Sequence, residues 1–192
     1  MSRFLVPLLA CPVVLFLVSA ADGGADAFPE KKETSHGGAK YSLVRTGVAV
    51  RYKGIFRVYV VASYVQEGAK VKDAAELLAS NDVKELRLHF LVGVSGTEMA
   101  KAFQDVFRAN HPAPQFNAEV NRLLELFKKT TAKRGDDVVL THIPKVGLRC
   151  KRPGSEDVVI ENVEFSRAIW ENYLGKHNTG EDVKKGLVSE LP

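Results

Sequence analysis

Residues 56–65 (FRVYVVASYV) constrain the fold most: they are almost all β-branched or aromatic, and the Lys53-Gly54 turn signal precedes them. A second β-rich run, with Leu43, Val48 and Val50, lies just upstream of that turn. Two such runs across a short turn predict an antiparallel hairpin. In the second strand Arg57, Tyr59, Val61, Ser63 and Val65 share one face; Phe56, Val58, Val60, Ala62 and Tyr64 share the other. Residues 85–92 (ELRLHFLV) alternate as a further strand, with Leu86, Leu88 and Phe90 opposite Arg87 and His89. The period of two returns after Asp137, in three short strands at 138–143, 147–151 and 157–160. Pro144-Lys145 and Arg152-Pro153-Gly154-Ser155 mark the turns between them.

The intervening segments follow a helical period. Asp73 opens a short helix over 73–80. Ser95-Gly-Thr-Glu98 is a capping box, and Met99, Ala102, Phe103, Val106 and Phe107 then recur at helical spacing until Asn110-His111-Pro112. Phe116, Val120, Leu123, Leu124 and Phe127 form a second stripe, and helices over 165–174 and 181–188 close the chain. The order is ββαβααβββαα. Strands that cluster rather than alternate with helices predict an α+β fold, an antiparallel sheet with helices on one side, and disfavour a doubly wound nucleotide fold.

The N-terminus carries a different signal. Arg3 precedes an apolar run over 4–18, interrupted by Pro7 and Pro12, and Ser19-Ala20-Ala21 follows. These are the parts of a secretory signal peptide over 1–20, cleaved after Ala20, in a run short of the ~20 residues that span a bilayer. The expectation is export, to a periplasm, the extracellular space or a secretory lumen. Cys11 reads as part of the apolar run, because more apolar residues follow it than a lipid-attachment site would allow. Residues 21–40 lack an apolar period and read as a flexible linker, His36 included, before a domain over 41–190. With the signal removed, Cys150 is the lone cysteine and reads as core.

Composition narrows the chemistry. With 192 residues, 45% apolar and 26% charged, the chain is a folded domain that needs no disulfide or metal staple. The net charge of +4 arises from 27 basic and 23 acidic residues dispersed along the chain. No basic block suits a nucleic-acid partner. There is no glycine-rich phosphate loop, CxxC, HExxH or GxSxG, and the five histidines are scattered, so no metal and no cofactor is expected. One candidate site remains. Arg51 ends the first hairpin strand and Tyr59 lies on the next, where the turn would bring them together. An arginine fork beside a phenolic hydroxyl suits a carboxylate; the alternative is a surface arginine beside a half-buried tyrosine.

Residues 47–51 (GVAVR), 58–65 (VYVVASYV) and 86–91 (LRLHFL) resemble, in that order, segments of the chalcone isomerase-like proteins. So do Gly135-Asp136 before a strand and residues 165–175 with Trp170 and the Leu174-Gly175 ending. The resemblance covers about residues 41–190 and implies an open-faced β-sandwich, an antiparallel sheet layered with helices around an apolar cleft. Chalcone isomerases of plants close a flavanone ring using an arginine, a threonine, a tyrosine, an asparagine and a late threonine or serine. Matched to this sequence, those positions carry Arg51, Tyr59, Met99, Val106 and Asn172. Met99 and Val106 cannot polarise a ketone, so the resemblance is nearer to the fatty-acid-binding branch, where an arginine–tyrosine pair holds the carboxylate, and to bacterial exported members.

The sequence therefore points to an exported, non-catalytic protein that binds an amphipathic carboxylate, a fatty acid in the first instance, with transient membrane contact as its natural accompaniment. Arg51 and Tyr59 would anchor the carboxylate, Met99, Phe103 and Val106 would form the apolar wall, and Asn172 would line the site. Two alternatives stay open: an intramolecular lyase acting on a chalcone or related enone, and a structural or partner-binding protein.

Overall fold

Seven strands pair antiparallel in chain order as one meander: β1 (Lys31–His36), β2 (Ala39–Lys53), β3 (Phe56–Gln66), β4 (Lys84–Phe90), β5 (Asp137–Ile143), β6 (Gly147–Lys151) and β7 (Val158–Ile160). Among the described residues five helices are interspersed: α1 (Ala74–Ala79), α2 (Gly96–Asn110), α3 (Asn117–Lys128), α4 (Val163–Leu174) and α5 (Glu181–Leu187). The computed structural model describes residues 27–192. The expected signal segment with Cys11 and the cleavage point after Ala20, and residues 21–26 of the expected linker, lie outside the described residues.

The second half of that linker is not a linker. Residues 31–36 form β1, paired with β2 from Lys31↔Val44 to His36↔Ala39, and Phe28 before it is fully buried. His36 ends this strand. The residues of β1 are polar, so no apolar alternation marks it, but Gly37 and Gly38 both adopt positive φ, 56° and 82°, in the tight turn to β2. A Gly-Gly pair is a hairpin signal in its own right.

The sheet curls. In a flat sheet β1 and β6 would lie roughly 24 Å apart, five strand spacings. Yet the Arg149 guanidinium on β6 reaches β1, donating to Thr34 Oγ1 at 2.5 Å and to the Ser35 carbonyl. The face carrying Arg149 is thus the inside of a half-barrel. The helices cover the outer face, where Val61, Val65, Leu86, Leu88, Phe90, Leu140 and Leu148 meet Phe107, Leu123, Phe127, Phe165, Ile169 and Trp170 in the main core. The expected α+β architecture with one-sided helices is the observed one.

Local chemistry sets the helix ends. The Ser95–Glu98 capping box opens α2 and the Asp73 carboxylate caps α1, each stabilising by about 1 kcal/mol. Two buried cations close helix C-termini. Lys84 Nζ donates to the carbonyls of Leu77, Leu78 and Ser80 past α1 (2.7–2.9 Å) and lies over the Trp170 ring. Arg152 donates to Leu126 O and Thr130 Oγ1 at the end of α3. Both satisfy carbonyls that a helix leaves unpaired and lie where the helix dipole favours positive charge. At the other end of the sheet α5 packs on β2 backbone to backbone. A Cβ on Gly47, whose φ is +153°, would sit 2.0 Å from Gly186 O, so only glycine fits.

Candidate functional site

The β2–β3 hairpin sets the site. Its register pairs Arg51 directly with Tyr59, and directly opposed residues of an antiparallel pair project from the same face. A register shift between Arg51 and Tyr52 follows, after which Tyr52 opposes Arg57 and Lys53 opposes Phe56. The bulge therefore lies between the Arg51–Tyr59 pair and the hairpin tip.

Arg51 and Tyr59 open onto a cavity of about 700 Å³ between the outer face of the sheet and the α2–α3 and α4 helices. All six residues singled out from the sequence, Arg51, Tyr59, Met99, Phe103, Val106 and Asn172, line it. Met99, Phe103 and Val106 come from α2, where the apolar stripe turns one edge to the core and the other to the cavity. Leu88, Phe90, Phe127, Val138 and Leu140 continue the apolar wall from the sheet and α3. Phe103 packs edge-on against Phe127 and stacks with Phe107, which fixes that wall.

The polar groups of the cavity gather around Arg51. Tyr173, one residue beyond Asn172 on α4, is buried with its phenol beside that of Tyr59. Thr179 lines the cavity and donates from both its hydroxyl (2.6 Å) and its amide (2.8 Å) to the Asn172 carbonyl. Asn172 is buried and its Oδ1 accepts no hydrogen bond among the described residues. Burial pushes the Tyr59 phenol above its ordinary value against the opposing pull of the Arg51 charge and the neighbouring Tyr173 phenol. Tyr173 is raised well above its ordinary value, by burial first and then by the neighbouring Tyr59 phenol. Both phenols stay protonated at neutral pH and can donate.

Arg51 itself has no hydrogen-bond or ion-pair partner among the described residues. A half-buried guanidinium without an acid, beside two neutral hydroxyls and above an apolar wall, is arranged for an anionic head on an apolar body. Tyr173 is the residue that sequence reasoning missed. Within the α4 helix it reads only as core, and its neighbour Asn172 was the sole hint that this turn faces the cleft.

Residues 28–189 match the sequence profile of a family described as chalcone isomerase-like. The chain belongs to the chalcone isomerase-like family. Two curated relatives are chalcone–flavanone isomerases of plants. That of Clitoria ternatea is 32% identical over 74 residues, 38% of this chain and 34% of the relative. That of Phaseolus vulgaris is 31% identical over 120 residues, 57% of this chain and 54% of the relative. The chain thus spans about a third to about a half of the length of these relatives. Among solved structures, a fatty-acid binding protein of Arabidopsis thaliana superposes with a TM-score of 0.55. It is 15% identical, and the match covers 82% of this chain and 96% of that one. At that identity the likeness is one of fold: the curled sheet with helices on one side is the fold of this family.

Proposed function

We propose that this chalcone isomerase-like chain holds a long-chain carboxylate, a fatty acid, in the cleft and leaves it chemically unchanged. One observation carries the reading: Arg51 has no partner among the described residues, stands across the hairpin from Tyr59, and faces a mostly apolar cavity whose lining acid, Glu98, is bonded to Ser95. In this reading the guanidinium pairs with the carboxylate, and the Tyr59–Tyr173 pair turns one hydroxyl toward it. The acyl chain lies along Met99, Phe103, Val106 and Phe127. The fold shared with a fatty-acid binding protein supports the ligand class, and the cavity volume falls in the range of small-molecule sites. The N-terminal pattern supports export, with the mature chain beginning after Ala20, which the intact mass of the secreted protein would test.

Native mass spectrometry of protein purified without detergent tests the ligand. The expected result is an adduct of fatty-acid mass that Arg51→Ala depletes. A protein that carries no adduct and takes up no added fatty acid overturns the reading.

The names of the two plant relatives favour a second reading, an intramolecular lyase acting on a chalcone. Arg51 would stabilise the attacking phenolate and the Tyr59–Tyr173 pair would polarise the ketone in place of the groups that Met99 and Val106 cannot supply. Loss of chalcone absorbance on mixing with the protein, abolished by Arg51→Ala, would establish it; a rate equal to buffer alone would exclude it.

A further inference from the structure

We propose that the tip of the β2–β3 hairpin docks this protein on an anionic lipid bilayer, with the cavity mouth against the membrane. The inference deepens the fatty-acid reading and rests on it for the purpose of docking. Four large apolar side chains are exposed among the described residues: Tyr52 (49%), Ile55 (86%), Phe56 (69%) and Val92 (40%). Three of these belong to the hairpin tip. The fourth follows β4, and Val92 and Phe56 also line the cavity. The exposed apolar surface and the cavity mouth are therefore one continuous surface.

Charge decides which partner fits. Residues 51–57 (RYKGIFR) hold three cations and no acid. Apolar side chains at a turn flanked by Lys and Arg match a surface of anionic headgroups over hydrocarbon, where each cation near the surface adds about a factor of five to partitioning. Among the described residues no helix is long and apolar enough to cross a membrane.

The geometry also gives docking a purpose. Arg51 stands two residues behind Lys53 on β2, roughly 7 Å along the strand. An apolar element that lies in the interface enters it by about 5–10 Å. With Ile55 and Phe56 at that depth, Arg51 sits at the height of the headgroups, where the carboxylate of a membrane-dissolved fatty acid also sits. The acyl chain then passes from hydrocarbon to the cavity along Phe56 and Val92 without crossing water.

The test places a reporter on the tip of the full chain. The native Trp170 is fully buried and serves as a constant background. Ile55→Trp adds an exposed indole at the tip, and Lys70→Trp adds one in the exposed β3–β4 connection at the opposite end of the sheet. With phosphatidylcholine–phosphatidylglycerol vesicles, Ile55→Trp is expected to shift its emission to the blue and to be quenched by brominated lipid, while Lys70→Trp does neither. Adding Lys53→Glu should weaken the partitioning about fivefold or more. No shift at position 55, equal shifts at both positions, or a shift that appears with protein concentration in the absence of vesicles would each overturn the proposal, the last by showing that a second copy covers the tip. Binding of cis-parinaric acid without vesicles is the separate readout of the cavity. Insertion without such binding removes the fatty-acid reading and keeps the docking; binding without insertion does the reverse.

Discussion

The inner and outer faces of the curled sheet are built from alternate residues of the same strands, yet they treat charge in opposite ways. On the inner face every prominent cation meets an acid. Glu85, only 2% exposed, accepts from Lys32 and from Thr141 Oγ1, with Arg149 3.9 Å away. Arg87 pairs with Asp137, whose other oxygen meets His89 Nδ1 at 2.8 Å. On the outer face, in the cavity, Arg51 has no such partner among the described residues. The comparison teaches how to separate a structural charge from a waiting one. A cation with its acid beside it has no spare valence for a ligand, whereas an unpaired cation facing an apolar cavity has a ligand-shaped vacancy in its electrostatics.

Breaking the inner network should have the largest effect. Glu85→Ala leaves Lys32 and Arg149 facing each other in a mostly buried site. The expected cost is about 3–5 kcal/mol in urea unfolding, with fatty-acid affinity unchanged. A loss below about 1 kcal/mol would make this network equivalent to surface pairs and blur the contrast.

The helix-covered face also buries one polar group in its neutral form. His142 bonds Ser166 Oγ at 2.9 Å, and its Nε2 is buried without a partner. Burial, then the Lys84 and Arg167 charges, push its pKa down to about 4. Below about pH 6.5 the unfolded chain takes up a proton there that the folded chain refuses until about pH 4. The unfolded state thus binds more protons in that window, and stability falls as pH falls through it, by up to about 3 kcal/mol from this group. Urea unfolding at several pH values should show a steeper acid loss in the parent than in His142→Gln. Parallel curves would remove His142 from the account.

Arg51→Ala should separate binding from stability in the reverse sense to Glu85→Ala. Charge-assisted hydrogen bonds of about 1.5–3 kcal/mol correspond to roughly 10- to 100-fold weaker fatty-acid binding, read by titration with cis-parinaric acid. The melting temperature should hold or rise. A destabilised variant with intact affinity would return Arg51 to the structural charges.

The smallest effects belong to the phenols. Tyr59→Phe or Tyr173→Phe should each cost about fivefold in affinity, near 1 kcal/mol. Because the two phenols lie beside each other, the double variant should fall short of the sum. Full additivity would mean that each reaches the ligand independently.

Much of this was legible in the sequence because its causes are local. The Lys53-Gly54 turn sets the hairpin, the alternation from Phe56 onward assigns faces, and Ser95 with Glu98 opens α2 within one turn of chain. Hairpin length alone would pair Arg51 with Val58; the bulge between Arg51 and Tyr52 moves its partner to Tyr59, and that shift was not legible in the sequence. The strand β1 was not legible in the same way. Its inward residues, Lys32 and Thr34, face a charged concavity rather than an apolar core, so they carry no hydrophobic period.

The sequence by itself determined which segments are strands and helices, β1 excepted, which cation could face a cleft, and which side chains make its wall apolar. These depend on periods and turns only a few residues long. The tertiary structure alone decided that the sheet curls until Arg149 reaches Thr34, that Tyr173 lies beside Tyr59, and that Arg51 is left without a paired acid. Each of these joins groups far apart in the chain. Whether a charge is neutralised or left open depends on what the completed fold sets within a few ångströms of it, and no local pattern encodes that.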